Sequence, residues 1–158
     1  QVIDVARPNV SFEKMTIDIY NSRVYLAGKH TWDPITLNLR EDVNNNVQKL
    51  VGEQLQKQFD FYEQSSAASG QDYKFTTRIE ILDGGNGANT PTVLETFELY
   101  GCYLESANYN QLAYSNSTDP VSIALNIQYD NAVQSPQGTG IGTAIGRTVN
   151  TLVTGGGA

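Results

Sequence analysis

The stretch VSIALNIQY, Val121 to Tyr129, alternates without a break. Val121, Ile123, Leu125, Ile127 and Tyr129 are large and apolar, and Ser122, Ala124, Asn126 and Gln128 between them are small or polar without charge. Successive side chains of an extended strand point to opposite faces, so a period of two predicts a strand with one face in a core. The opposite face is a row of short uncharged groups. It suits solvent, a neighbouring chain or the inside of a channel equally well.

The same period recurs through the chain. Met15 to Tyr20 carries Met15, Ile17 and Ile19, and Arg23 to Ala27 carries Val24 and Leu26. Asn21-Ser22 between them predicts a tight hairpin turn, because Asn tolerates positive φ. Pro34 introduces Ile35, Leu37 and Leu39, spaced by Thr36 and Asn38, as a further strand whose first-position proline costs no ladder bond. Tyr73 to Leu82 and Leu94 to Tyr103 read as strands, the second with an irregularity near Gly101. A mixed stretch to Tyr114 leaves room for one more short strand. Asp83 to Thr92, DGGNGANTPT, is the loosest internal loop.

The period changes once. Val43, Val47, Leu50, Val51, Leu55, Phe59 and Tyr62 recur at three- and four-residue steps, which predicts one amphipathic helix over about 42–64 with Asp42 as N-cap. From Ser135 the composition collapses to Gly, Thr and Ala, too poor in apolar groups for a core of its own. Within it, Thr143 to Val153 would form a short helix only against a partner. The expected architecture is mainly β (α+β), an antiparallel β-sandwich or barrel with one flanking helix. It comprises a domain over 1–134 and a Gly-rich arm over 135–158. The element order is not the βαβα alternation of a parallel sheet.

At 158 residues the chain has the size of one domain. Its net charge of -7 and its lack of Lys/Arg clusters argue against tight nucleic-acid binding, which draws on clustered cations. No apolar run approaches the roughly 20 residues of a membrane-spanning helix. Gln1 at the start, with Met15 the only methionine, predicts that the sequence begins inside a longer product.

A search for chemistry finds little. The single histidine, His30, and single cysteine, Cys102, leave no soft-ligand set for zinc or copper. His30 beside Trp32 reads as a packed or solvent-facing residue, and Cys102 in an apolar strand as a small buried hydrophobe. Asp18, Asp33, Glu41, Asp42, Glu53, Glu63, Glu95, Glu98 and Glu105 scatter over different elements, and a regular strand puts Glu95 and Glu98 on opposite faces. Gly84, Gly85 and Gly87 lack the following Lys-Ser/Thr of a phosphate loop. Gly138, Gly140, Gly142 and Gly146 lack the strand that precedes a dinucleotide fingerprint. Asn9-Val10-Ser11 and Asn116-Ser117-Thr118 match the glycosylation sequon by chance. The expectation is a protein with no catalytic site, no cofactor and no metal.

Val24-Tyr25-Leu26-Ala27-Gly28-Lys29-His30-Thr31-Trp32-Asp33, followed by the strand Ile35 to Leu39 and by a helix opening at Glu41-Asp42-Val43-Asn44, resembles the tail-tube family of contractile-tailed bacteriophages. So does Leu99-Tyr100-Gly101-Cys102-Tyr103-Leu104-Glu105-Ser106, with Val121 to Tyr129 as the family's last strand. The resemblance covers residues 5 to 130 and rests on element order and short motifs. It implies a structural virion protein whose hexameric rings stack into a tube, with sheath, baseplate and neighbouring tube proteins as partners and DNA passing through unbound. It implies assembly in the host cytoplasm, as the main tube subunit or as a baseplate-proximal initiator. The tube ring of bacterial contractile injection machines is a sister possibility. Under this resemblance Thr36, Asn38, Ser122, Ala124, Asn126 and Gln128 become the candidate lumen or inter-subunit face. Asp83, Asn86 and Asn89 become a candidate inter-ring contact. The rival reading is a non-enzymatic binding module presenting loop 83–92 to a sugar or protein, with Tyr109 and Tyr114 clustered at a loop surface.

Overall fold

The computed structural model describes residues 1–116 and 118–137. The arm from 138 onward, with its glycines and the segment Thr143 to Val153, lies outside the described residues, as does Ser117 of the second sequon.

In chain order the elements are β1 (Val2–Val5), β2 (Asn9–Ile19), β3 (Ser22–Asp33), β4 (Ile35–Arg40), α1 (Asn46–Gln58), β5 (Phe59–Asp60), β6 (Ser65–Ser66), β7 (Phe75–Leu82), β8 (Val93–Asn108), β9 (Ser122–Gln128) and β10 (Asn131–Ser135). Six strands form one sheet in the order β1-β4-β9-β8-β10, with β7 on the other edge of β8. Its pairings are all antiparallel. The sheet curls into a half-barrel with the helix against it, the antiparallel barrel-type fold expected from the alternation.

The curl has a cause in β8. Its C-terminal part, Tyr103 to Asn108, pairs with β9, whereas Thr96 to Tyr100 pairs with β10. The change falls at Gly101, which sits at φ 67. A side chain there would be strained, and its Cβ would overlap the Asp130 carboxylate. Asp130 in turn accepts from Lys74 Nζ at 2.8 Å, and its own N–H donates to Tyr100 O at 2.9 Å.

Ile35 on β4, Leu99, Cys102 and Leu104 on β8, Ile123, Leu125 and Ile127 on β9, and Tyr129 are buried together with Val51 of the helix. Val47 and Leu55 flank Val51 on the same helix face. Gln58 closes the helix onto the sheet. Its amide donates to Leu104 O and accepts from Leu104 N, both at 2.9 Å, so one side chain pairs with the strand as another strand would.

Several boundaries differ from expectation. The helix spans 46–58 instead of 42–64. Asn45 takes the cap position at φ 56 with no side-chain cap bond. Asp42 does the capping from farther out, its carboxylate accepting from Asn46 N at 3.0 Å. At the other end Phe59 is already extended, and Asp60 accepts from the N–H groups of Tyr62 and Glu63, which holds a turn where helix was expected. The hairpin turn is Tyr20-Asn21, with Tyr20 and not Asn21 at positive φ. β1 and β10 were not expected, β2 starts six residues earlier, and β7 starts at Phe75. β8 runs on to Asn108, so the stretch to Tyr114 holds its end and a short 3-10 turn at Tyr114–Asn116 in place of another strand.

Candidate assembly surfaces

The alternation of β4 and β9 puts Ile35, Ile123, Leu125 and Ile127 in the core and turns Thr36, Asn38, Ser122, Ala124 and Asn126 to the outer face. All lie at adjacent cross-strand positions: Thr36 opposite Asn126, Asn38 opposite Ala124, and Arg40 opposite Ser122. The face continues onto β8, where Ser106 meets Asn126 and Asn108 meets Ala124. Hydrogen bonds tie it across the strands. Thr36 Oγ1 donates to Asn126 Oδ1 at 3.1 Å, and Asn126 Nδ2 donates to Ser106 Oγ at 2.9 Å. Asn38 Nδ2 donates to Asp4 Oδ1 at 2.6 Å, and Asn110 Nδ2 reaches Ser122 Oγ at 2.9 Å. Gln128, the sixth candidate, turns aside and donates to the carbonyls of Trp32 and Tyr129 at 3.3 Å. Asp4 and Arg40 are charges of opposite sign on this ladder, Glu105 is exposed at the bulge beside Ser106, and no cations cluster on the face.

The second surface escaped the sequence reading. β2 and β3 form a two-stranded sheet of their own, and neither packs substantially on any other element. Met15 pairs with Leu26 and Ile17 with Val24; with Ile19 they make one apolar face, each side chain 40–52% exposed. The reverse face is polar: Arg23 Nε meets Asp18 at 2.9 Å, and Lys14 Nζ sits 5.1 Å from the centre of the Tyr25 ring. The alternation forms the strand expected from it, and no other element of the described chain covers its apolar face. Five large apolar side chains on one ribbon form the kind of patch that marks a contact site.

In loop 83–92 the candidate side chains are largely committed to the loop itself. Asp83 accepts from the N–H groups of Gly85 and Thr92 and from the Thr92 hydroxyl. These bonds hold its carboxyl below the usual carboxylate range, the Thr92 hydroxyl contributing most. Asn86 accepts from the N–H groups of Ala88 and Asn89. Asn89 adds a backbone bridge to Asn86 and so belongs to the same turn. Tyr109 and Tyr114 border an open depression of about 680 Å³ near the start of β9, with Leu112 and Asp119. Tyr114 is fully exposed and walls nothing off.

The groups that invite chemistry stay apart. His30 lies on the hairpin 6.2 Å from both the Phe12 and Trp32 rings. Cys102 is buried and donates to Leu99 O at 3.4 Å, and burial pushes its thiol pKa up. Glu98 accepts from the Tyr100 hydroxyl at 2.5 Å, whereas Glu95 faces Arg7 at 3.9 Å. Among the described residues no three His, Cys, Asp or Glu side chains gather as a metal site, and no helix is long and apolar enough to cross a membrane.

No family model matches the chain, and no curated protein matches it. Solved structures do. A chain of an extracellular contractile injection system, in the PVC sheath–tube complex in its extended state, aligns with a TM-score of 0.62 at 14% identity, over 85% of this chain and 80% of that one. A chain of the sixfold-symmetrised anti-feeding prophage baseplate gives 0.59 at 10% identity over 82% and 77%. An Hcp protein gives 0.52 at 12% identity over 84% and 68%. At such identities the likeness is one of fold: the curled sheet with a single helix is the fold of contractile tube proteins.

Proposed function

We propose that this chain is a non-enzymatic structural subunit of a contractile tail tube, forming hexameric rings that stack into a channel. The observation that carries the reading is the β2–β3 hairpin, whose apolar face finds no cover within the described chain and therefore calls for another subunit. The tube fold and the sixfold symmetry of the prophage baseplate that contains one of its structural neighbours support it. Thr36, Asn38, Ser122, Ala124 and Asn126 line the lumen in this reading, and a polar wall without clustered cations gives passing DNA nothing to hold. Sheath and baseplate proteins are the outer partners, in a virion-like particle assembled in the host cytoplasm. The subunit repeats along the tube or starts it at the baseplate. The binding-module reading has less support, because Asp83 and Asn86 are committed to their own loop.

The test is negative-stain imaging with mass determination in solution. Wild-type protein is expected to give sixfold rings with a central hole, or stacked tubes. I17D/L26D should keep the circular dichroism of the folded wild type, because both positions are half exposed and outside the core, and yield monomers. A wild-type chain that stays monomeric at high concentration, or rings that survive the double substitution, would sink the proposal.

A further inference from the structure

The hairpin is not a separate insertion. β1 pairs with β4 and β2 with β3, and the register runs unbroken from one pair to the next. Val5 faces Leu37, Ala6 N donates to Thr36 O at 3.0 Å, and Asn9 faces Asp33. Residues 2–39 are therefore one long ribbon, and in its register Pro8 faces Pro34. An antiparallel ladder exchanges its hydrogen bonds at every second pair of residues. Since Ala6 and Thr36 are such a pair, Pro8 and Pro34 are the next, and neither has an N–H to give. The ladder is thus interrupted from Ala6/Thr36 to Val10/Trp32, a span of about 13 Å at the usual rise per residue.

What pins the hairpin across this gap is slight. The Trp32 ring packs 5.6 Å from the Tyr129 ring, and Gln128 Nε2 donates to Trp32 O at 3.3 Å. The pin is also incompletely satisfied, because Trp32 Nε1 is buried with no hydrogen-bond partner. Buried polar groups without partners are rare and costly, so giving up this contact recovers part of what it gains.

We propose that the facing prolines Pro8 and Pro34 are an articulation, and that residues 9–33 form an arm that pivots as a unit against the half-barrel. The arm stays a rigid ribbon, because its own ladder is continuous apart from one irregularity between Phe12 and Lys14. The half-barrel stays fixed through its core. Motion is confined to the rung that cannot be bonded. This inference concerns the chain itself and holds whatever the arm docks on.

Spin labels at N21C on the turn and K49C on the helix, diluted with unlabelled chain, report the arm's position by double electron–electron resonance. A pair at S106C and K49C reports the body alone. The wild-type arm distribution should be clearly broader than the body distribution. P8V/P34V, which restores two N–H donors at the rung, should narrow it to the body's width, with circular dichroism confirming the fold. If the wild-type arm distribution is already as narrow as the body's, the proposal fails, whether or not P8V/P34V folds. It also fails if a folded P8V/P34V leaves the width unchanged.

Discussion

Two glycines show how differently one residue type serves this chain. Gly52 lies on the exposed side of α1, and a Cβ there meets nothing within 4 Å. Gly101 lies where β8 exchanges one partner for another, at positive φ and against Asp130. In G52A the helix keeps its shape and the unfolded chain loses freedom, so the variant should gain about 0.5–1 kcal/mol in urea unfolding. In G101A the left-handed backbone is strained, and Asp130 must leave Lys74 to make room. A loss of roughly 1–3 kcal/mol is expected from the backbone alone. Equal effects at both positions would contradict the role given to Gly101 as the corner of the sheet.

At the scale of elements, loops and helix ends are decided by which side chains capture backbone N–H groups. Asp83 captures two in its loop, and its carboxylate is therefore favoured in the folded state. A depressed folded pKa stabilises above the unfolded value of 3.8 and stops doing so as pH falls through the lower folded one. The amides of Gly85 and Thr92 should thus keep their chemical shifts and exchange protection down to pH 3.8 and lose them only below it. D83N should abolish the transition, and a transition at or above pH 3.8 in wild type would refute the assignment. The same kind of capture explains what the sequence showed and what it hid. Alternation revealed β4, β7 and β9, because each has one face on the core. The three- and four-residue spacing revealed α1, because Val47, Val51 and Leu55 pack on that core. Its ends were hidden: the apolar run continues through Phe59 and Tyr62, but Asp60 turns the backbone and leaves Tyr62 in solvent. β1 and β10 were hidden because neither fills the core with a clear alternation, and both are held mainly by backbone pairing. The polar face was legible, being the necessary reverse of an apolar series. The hairpin's lack of cover was not, because periodicity says that a face is apolar and never what covers it.

At the scale of the whole molecule, charge and geometry part company. The chain carries a net charge of -7, yet the ladder joining β1, β4, β9 and β8 is built mainly of Thr, Asn, Ser and Ala, with Asp4 opposite Asn38, Arg40 opposite Ser122 and Glu105 exposed at the bulge of β8. An acidic wall would repel DNA over about 8–10 Å at physiological salt, and a basic one would bind it with release of counterions. A face with few charges and no cluster of cations would neither repel DNA strongly nor hold it, and adding cations to this one face tests the idea. S122K/N126K places two cations on the face without entering the core, since both side chains point away from Ile123 and Ile127. If the face lines a channel, assembled S122K/N126K should retain short double-stranded DNA that wild-type assemblies release. Its affinity should fall linearly in log–log form as salt rises, with a slope of about −0.9 for each phosphate neutralised. The unassembled variant should bind far more weakly, because only a closed ring surrounds the duplex with these lysines. Equal binding by assembled and unassembled variant would place the face on the outside of the particle. Retention of DNA by wild-type assemblies would sink the idea that a face without clustered cations lets DNA pass.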